Sequence, residues 1–430
     1  MTKLPYIKIC TCLVLLTYAG SSTYAQINLG KLKDKANKTI SNSSNTNTNS
    51  GNTSAINTPS DTKILNTGKD PFDGTGNTIV TLAGSGSSSE MGFKDAKGKD
   101  ALFQYPESIT TDENGNIYVA DKNNHCIRKI TPTGEVSTFA GSGERGTKNG
   151  EGKEAGFDQP FYIWYDGQKN FYVVENNNTV RRINKEGKVT TPVKASNYPG
   201  YVDGEIGDAN FDGIKSVVSN SKGELFILDA NNNCIRKLSA GVVSTFAGSK
   251  KASLQYETEV KDGPAANATF WNLKFMVIDK SDNLYICDAA QRIRKISPDG
   301  IVSTLPFDAL IKNTKSTYEM DDGTFHGVRD VGVFSEMVLL PNGKFIISND
   351  KGCIYEISED IKTIRFVYTG IFCNSHNESE YRGVTEVVDG EDCKGCIGSD
   401  KAKQLAVSKD GKIYFTDQTF HCIREIKLKS

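Results

Sequence analysis

A strand-rich segment recurs along the chain, and its clearest copy spans residues 103–141, which closely match residues 211–248. Each of these two copies has an apolar run, a polar turn, a second apolar run that ends in Asp, an Ile-Arg-Lys run and a Val-Ser-Thr-Phe-Ala-Gly run. Short runs of β-branched and aromatic residues bounded by turn residues are typical of strands. Repeats made of a few short strands cannot bury their own faces, so the copies must stack on one another.

Six copies align, and the ends of the chain show how the array closes. The last copy stops after its third strand, at Ser430, whereas a spare fourth strand at residues 78–84 precedes the first copy. We therefore predict an all-β, six-bladed β-propeller whose N-terminal strand completes the last blade, which removes two exposed sheet edges. This closure would bring Ile79 and Leu82 into the sheet that holds Ile423 and Ile426.

Residues 121–130 carry Asp-x-x-Asn-His-x-Ile-Arg-Lys-Ile, which resembles the NHL repeat, and the Val-Ser-Thr-Phe-Ala-Gly-Ser-Gly strand is typical of secreted bacterial members. The resemblance covers about residues 77–430 and implies a six-bladed propeller. It is poorly specific to function, because the family includes ligand-binding ectodomains, RNA-binding domains and a few lyases.

The N-terminal region predicts export. Residues 1–25 resemble a signal peptide, with Lys3 and Lys8 before an apolar segment that is too short to span a bilayer, and the alternative is a membrane anchor. Residues 26–70 are rich in Ser, Asn and Thr, which predicts a disordered linker, and residues 71–430 form the propeller. We expect a protein that is secreted to the periplasm or surface of a bacterium, without a membrane span.

The charge is balanced, with 51 Lys and Arg against 52 Asp and Glu, which argues against nucleic-acid binding. An acid ends the second strand of most copies and an Arg follows in the third. A structural Arg fork within each blade is favoured over a ring of charged ligands, because a catalytic group is seldom needed in every repeat. The fifth copy has Tyr355 in place of Arg, so we expect an irregular blade. The pairs are Asp121–Arg128, Glu175–Arg182, Asp229–Arg236, Asp288–Arg294 and Asp417–Arg424.

Asn-Gly or Asp-Gly turns precede the later copies, and a Phe that we expect to plug the seam between two sheets follows each turn. Calcium binding by these aspartates is the less favoured alternative, because the loops lack the acid density of a calcium site. The turns begin at Asn149, Asp203, Asp262 and Asp322.

Metal and thiol chemistry have few candidates. His125 and His421 hold the same position in the first and last copies, which suggests that they form a metal-binding pair. A zinc site with three His ligands is not favoured, because the other copies have no His at this position. The segment 370–399 holds Cys373, Cys393 and Cys396, for which we expect one disulfide of open connectivity. A zinc site that also uses His376 is the alternative, whereas Cys126, Cys234 and Cys422 are expected to be buried packing residues.

The long insertions fall in the loops that lead into the first strands, and long loops on one face of a protein commonly hold its ligand-binding residues. We predict a monomeric, non-catalytic propeller without a cofactor that binds a protein, peptide or glycan through this loop-rich face. A metal-dependent lyase or hydrolase with a site at the central channel is the alternative, and a structural spacer is a third possibility. Trp164 and Trp271 are expected to be packed. The predicted channel mouth comprises Glu107, Phe161, Lys215, Lys274, Glu336 and Lys403.

Overall fold

The structure is a computed structural model, and all of its described residues lie in one compact unit, Pro59–Ser430. The predicted signal peptide (1–25) and linker (26–70) lie outside the described residues. No helix among the residues described is long and apolar enough to cross a membrane. The description covers residues 77–428 except 177, 195–197, 249–260, 289–291, 307–317, 320–324, 327–333, 350–353, 362–363, 369–389 and 392–401.

Six antiparallel sheets of at least four strands follow one another along the chain, and we number them as blades 1 to 6. Blade 1 comprises Pro106–Thr111, Ile117–Asp121, Cys126–Ile130 and Val136–Ala140. Blade 2 comprises Pro160–Tyr165, Asn170–Glu175, Thr179–Asn184 and Lys188–Lys194. Blade 3 comprises Ile214–Ser219, Leu225–Asp229, Cys234–Ser239 and Val242–Ala247.

Blades 4 to 6 repeat this order of four strands. Blade 4 comprises Met276–Ile278, Leu284–Asp288, Arg292–Ile296 and Ile301–Thr304. Blade 5 comprises Phe334–Leu339, Phe345–Asn349, Ile354–Ile357 and Ile364–Tyr368. Blade 6 comprises Ala402–Val407, Ile413–Asp417, Cys422–Lys427 and the N-terminal strand Thr78–Ala83.

Shorter elements complete the fold. Four blades gain a two-residue outer strand, which is Gly150–Glu151 in blade 2, Gly204–Glu205 in blade 3, Gly263–Pro264 in blade 4 and Gly390–Glu391 in blade 6. A separate ladder pairs Tyr318–Glu319 with Phe325–His326. Short 3-10 turns span Gly98–Asp100, Lys122–Asn124 and Gly152–Glu154.

The first strands form the inner ring of the propeller. Each contacts the first strand of the next blade, and the first strand of blade 6 contacts that of blade 1. The N-terminal strand closes this ring, since it lies between Gly390–Glu391 and Cys422–Lys427. Ile79 is opposite Ile426, and both side chains are buried. The predicted all-β, six-bladed propeller and its closure are confirmed.

The core lies in the seams between blades. Phe157, which precedes blade 2, is fully buried among residues of blades 1 and 2, such as Ala120 and Val173. Phe103, Phe211 and Phe270 are buried in the same way in other seams. The second strands of blades 1 and 3 are buried along their whole length, which explains their continuous β-branched and aromatic runs.

Candidate ligand-binding face

One end of the propeller is formed by two sets of connections. The incoming loops lead into the first strands, and short turns join the second strands to the third. In blade 1, the Asn124 Nδ2 donates to the Gly92 carbonyl at 2.7 Å, and in blade 3 the Asn232 Nδ2 donates to the Gly200 carbonyl at 2.9 Å. These bonds hold both sets of connections at one end, which we call the loop face.

A buried Arg ties each well-described incoming loop to its blade. Arg294 donates from Nη1 to Asp288 at 2.8 Å and to the Thr269 carbonyl at 3.1 Å. Its Nη2 donates to the Lys261 carbonyl and to Asp262, both at 2.8 Å. Arg128, Arg181 and Arg236 bind Asp95, Asn149 and Asp203 in the same way.

The four Arg side chains are fully buried, so their Nη groups are committed to the chain itself. The Asx side chains before the blades are occupied as well, because each accepts hydrogen bonds from the Arg and from a Thr of the fourth strand. In blade 3, for example, Asp203 accepts from the Thr245 N–H at 3.0 Å. This arrangement gives the aspartates an internal cation, so calcium is not needed to explain them. Asp95 belongs to this set, although it is followed by Ala96 and therefore lacks the Asx-Gly pattern of the other turns.

Blade 2 corrects one of the predicted pairs. Glu175 accepts a hydrogen bond from Arg181 at 2.9 Å, and Arg182 is exposed on the other side of the strand. The turn after the second strand spans residues 176–178 in blade 2 and 122–125 in blade 1, and is therefore one residue shorter. Side chains alternate between the two faces of a strand. Because the turn is one residue shorter, Arg181 takes the buried position that faces Glu175, and Arg182 faces solvent.

The other predicted partners are placed as follows. Asp121 contacts Arg128 at 3.0 Å, Asp229 contacts Arg236 at 3.0 Å, and Asp417 contacts Arg424 at 3.5 Å. Blade 5 replaces the ion pair with neutral groups, because the Asn349 Nδ2 donates to the Tyr355 hydroxyl at 3.1 Å.

Both His residues of the repeat act as latches between blades. The His125 Nδ1 accepts a hydrogen bond from the Gln159 N–H of blade 2 at 3.1 Å, and the His421 Nδ1 accepts one from the Tyr105 N–H of blade 1 at 3.2 Å. Asn233 makes the equivalent bond to the Asn272 N–H at 2.9 Å. The two His side chains therefore serve different seams. In the described part of the chain, no three His, Cys, Asp or Glu side chains are grouped to hold a metal ion.

The first strands carry a bulge at the channel mouth. In blade 1, Pro106 is opposite Asp121 and Ser108 is opposite Ala120, so Glu107 is the extra residue. Phe161 and Lys215 hold this position in blades 2 and 3. In blade 5 it is Ser335, which corrects the placement of Glu336 in the predicted mouth by one residue.

The mouth residues differ in exposure. Glu107 contacts Lys122 at 2.7 Å, and Phe161 is half-buried. Lys215 and Lys274 are exposed. Lys403 lies in the first strand of blade 6, and its side chain is outside the described residues.

The residue that follows the bulge in each first strand lies deeper in the channel, and we call the ring of these six residues the channel tier. Ser108 contacts the Gln404 side chain of blade 6, and its hydroxyl accepts a hydrogen bond from the Ile163 N–H of blade 2 at 2.9 Å. Register places Glu336 at the same level. The tier comprises Ser108, Tyr162, Ser216, Phe275, Glu336 and Gln404.

Glu336 is the unusual member of the channel tier. Its side chain is buried, and its one described hydrogen bond is accepted from the Met337 N–H at 3.0 Å. Burial raises the pKa of Glu336 to about 8. Tyr162 lies in blade 2, which is opposite blade 5 in a ring of six. Burial, and then the charge of Glu336, raises the pKa of Tyr162, so the charge of Glu336 acts on Tyr162 across the channel.

Large apolar side chains are exposed mainly on the loop face. Trp271 is 54% exposed and Tyr198 is 79% exposed, whereas Trp271 was expected to be packed. Phe270 occupies the seam before blade 4, so the next residue faces outwards. Trp164 is half-buried and stacks on Tyr172, as expected for packing. The exposed set on this face is Met91, Phe93, Tyr105, Tyr198, Val202 and Trp271.

The cysteines of the described residues are buried. Cys126, Cys234 and Cys287 form no disulfide with a described residue, and burial raises the pKa of Cys126. Cys422 is buried in the third strand of blade 6. Cys373, Cys393, Cys396 and His376 lie outside the described residues, so the predicted disulfide and the alternative zinc site stay predictions.

The NHL repeat family matches residues 103–130, which run from the incoming loop of blade 1 through its third strand. The protein SUPPRESSOR OF QUENCHING 1, chloroplastic, from Arabidopsis thaliana is 33% identical over 113 residues, which cover 25% of this chain and 11% of that protein. The chain therefore matches only a small part of the length of this curated relative.

Two solved structures from Bacteroides thetaiotaomicron resemble this chain. A structural genomics protein of unknown function has a TM-score of 0.54 and 14% identity, over 82% of this chain and 76% of that one. An auxiliary nutrient binding protein has a TM-score of 0.49 and 13% identity, over 81% and 76%. At these identities the resemblance concerns the fold alone. The chain is a six-bladed β-propeller that carries an NHL repeat in its first blade.

Proposed function

We propose that the protein is an exported, monomeric, non-catalytic propeller that binds a protein, peptide or glycan on its loop face. The observation that carries this proposal is the concentration of exposed apolar side chains there, from Phe93 to Trp271. Clustered apolar exposure on a folded surface marks interaction sites. The repeated polar residues support a non-catalytic role, because the Arg forks and the His latches are committed to holding loops and seams.

Binding is tested by screening the purified protein on peptide and glycan arrays. We expect a W271A/Y198A variant to lose most of the binding of the wild type. A V242A/I301A variant is the matched control, since Val242 and Ile301 are apolar and 46% exposed but lie at the starts of the fourth strands of blades 3 and 4. Equal binding by both variants would contradict the use of the loop face.

Export is tested separately. We expect N-terminal sequencing of protein recovered from the periplasm or the cell surface to begin at Gln26, because residues 23–25 offer a cleavage site. Full-length protein that stays in the cytoplasm would contradict this part of the proposal.

A channel enzyme is the second candidate, and Glu336 is the observation that favours it. A buried carboxyl group with a raised pKa is typical of groups that transfer protons. Hydrolase and lyase activity that is lost in E336Q, or stoichiometric zinc or calcium in the purified protein, would favour the enzyme over the binding protein.

A further inference from the structure

We infer that the ligand of the loop face is an acidic glycan, and that one of its carboxylates binds between Lys215 and Lys274 at the mouth, above Glu336 of the channel tier. This inference rests on the proposed binding function and specifies its ligand.

The first argument is the charge of the mouth. Lys215 and Lys274 hold the same strand position in the adjacent blades 3 and 4, and both are exposed. Neither forms an ion pair with a described residue. The acid at this position, Glu107, is neutralised by Lys122 at 2.7 Å. Two cations at equivalent positions of adjacent blades, with no ion-pair partner among the described residues, attract an anionic ligand.

The second argument is the chemistry of the floor. Glu336 lies one residue beyond the bulge, which is about 3.3 Å deeper along the strand. Burial keeps Glu336 protonated at neutral pH, so it can donate a hydrogen bond. The Tyr162 hydroxyl lies in the opposite blade and is also neutral. A carboxylate accepts from such donors, and a cationic group could not.

The third argument is a pair of buried hydroxyls. Ser348 is directly across the strand pair from Glu336, and Ser216 belongs to the channel tier. Both side chains are fully buried, and neither Oγ has a hydrogen-bond partner within the described residues. Buried hydroxyls without partners are uncommon in folded proteins, so they indicate a group that the described residues do not supply.

The fourth argument separates a glycan from an acidic peptide. Trp271 lies three residues before Lys274 at the start of blade 4, and it is 54% exposed. An exposed aromatic ring in the same segment as a cation can offer an apolar face to the C–H groups of a sugar whose carboxylate the Lys binds. This combination favours an acidic glycan over an acidic peptide, whose carboxylates need only the Lys residues.

The site makes binding sensitive to pH. Ionised Glu336 would repel a carboxylate, so affinity should fall as the pH rises through about 8. The other titratable groups near Glu336 are Tyr162 and Cys287, and burial raises the pKa of each, so they stay protonated. Lys274 is a charged group near Cys287, and its charge opposes the effect of burial on the pKa of that thiol.

The experiment uses the mature protein and an array of galacturonate, glucuronate and sialic acid oligosaccharides. Their methyl esters, neutral oligosaccharides and Glu-rich peptides complete the array. Calorimetry then measures the affinity of the best acid. We expect the acids to bind and the matched esters to bind at least tenfold more weakly. K215A and K274A should weaken binding about tenfold, and K222A, an exposed Lys in a turn at the opposite end, should not.

The pH dependence of binding separates a direct role of Glu336 in binding from a purely structural one, because a structural role would not change the ratio of the affinities at two pH values. We expect the wild type to bind the acid about tenfold more weakly at pH 9 than at pH 6, because binding requires protonated Glu336. In E336Q this ratio should fall to about one. Thermal melts of each variant show whether the fold is retained.

The outcomes distinguish the inference from the proposed function. Binding of neutral glycans or Glu-rich peptides in place of the acids would overturn the inference and leave a binding protein. An unchanged ratio in folded E336Q would also overturn it, because the carboxylate would then not reach the channel tier. No binding to any member of the array would count against the proposed function itself.

Discussion

Arg181 donates a hydrogen bond to Glu175 at 2.9 Å, and both side chains are fully buried. The next residue, Arg182, is exposed. Two adjacent residues of the same type thus occupy opposite environments, and this makes them a matched pair for testing what an Arg fork contributes.

We expect R181A to destabilise the protein by about 3–5 kcal/mol, because it leaves the buried Glu175 without its cation. R182A should change the free energy of unfolding by no more than about 0.5 kcal/mol. Urea unfolding of both variants measures the difference. Similar losses in the two would mean that the pairing of blade 2 is misassigned.

The latch at the closing seam gives a second test. H421A should cost about 1–3 kcal/mol, because the Tyr105 N–H loses its acceptor. H421N should retain most of the stability, since Asn233 makes the same bond in blade 3. Chemical denaturation at pH 7.5 compares the three proteins. An H421N as unstable as H421A would exclude the hydrogen bond as the cause.

His421 also makes stability depend on acid. Burial lowers its pKa, so the folded state favours the neutral ring that accepts from Tyr105. This contribution is present above the unfolded pKa and is lost as the pH falls through the lower folded value. We expect the melting temperature of the wild type to fall more than that of H421N between pH 7 and pH 5. Parallel curves would contradict this linkage.

Glu336 makes stability depend on pH in the opposite sense to His421, because its contribution is lost as the pH rises. Burial raises the pKa of Glu336 to about 8, well above the ordinary range of a Glu side chain, so the folded state retains a proton that the unfolded state releases. The stabilising contribution is complete below the unfolded pKa and is lost as the pH rises towards 8. Melting curves should show E336Q gaining stability over the wild type as the pH rises from 5 to 8. A constant difference would indicate that the carboxyl group is solvated.

Closure of the ring depends on the N-terminal strand. We expect I79A to cost about 2–5 kcal/mol, because Ile79 is fully buried opposite Ile426. V242A is the control for truncation at an exposed strand position and should cost no more than about 0.5 kcal/mol. Guanidinium unfolding measures both. A small effect of I79A would mean that the last blade is stable without this strand.

The sequence was sufficient to predict the closed ring, because the missing last strand and the spare first strand are both visible in it. It was not sufficient at the positions where copies differ in length. The pairing of Glu175 with Arg182 assumes the acid-to-Arg spacing of blade 1, whereas the turn in blade 2 is one residue shorter and Arg181 takes the place. The prediction that Glu336 lies at the mouth is wrong by one residue, because the bulge at Ser335 has no signature in a single copy.

The solvent exposure of individual apolar side chains also could not be predicted from the sequence. Trp271 is as apolar as the core residues around it, and only the burial of Phe270 in the seam shows which of the two faces solvent. Asp95 could have been found by aligning its loop with that of Asn149, since both follow a Lys. The coupling of Tyr162 with Glu336 depends on the ring, because the two residues are far apart in the chain.

The pairing of Thr78 with Lys427 means that the two extremities of the folded body share one sheet. A ring of this kind has no obligatory starting point. Joining these extremities with a short linker and cutting the chain at an exposed turn, such as the one that contains Lys222, would give a circular permutant with every blade continuous except the one that is cut. The order of the blades would be unchanged, so the propeller could be presented from a fusion partner at a chosen edge.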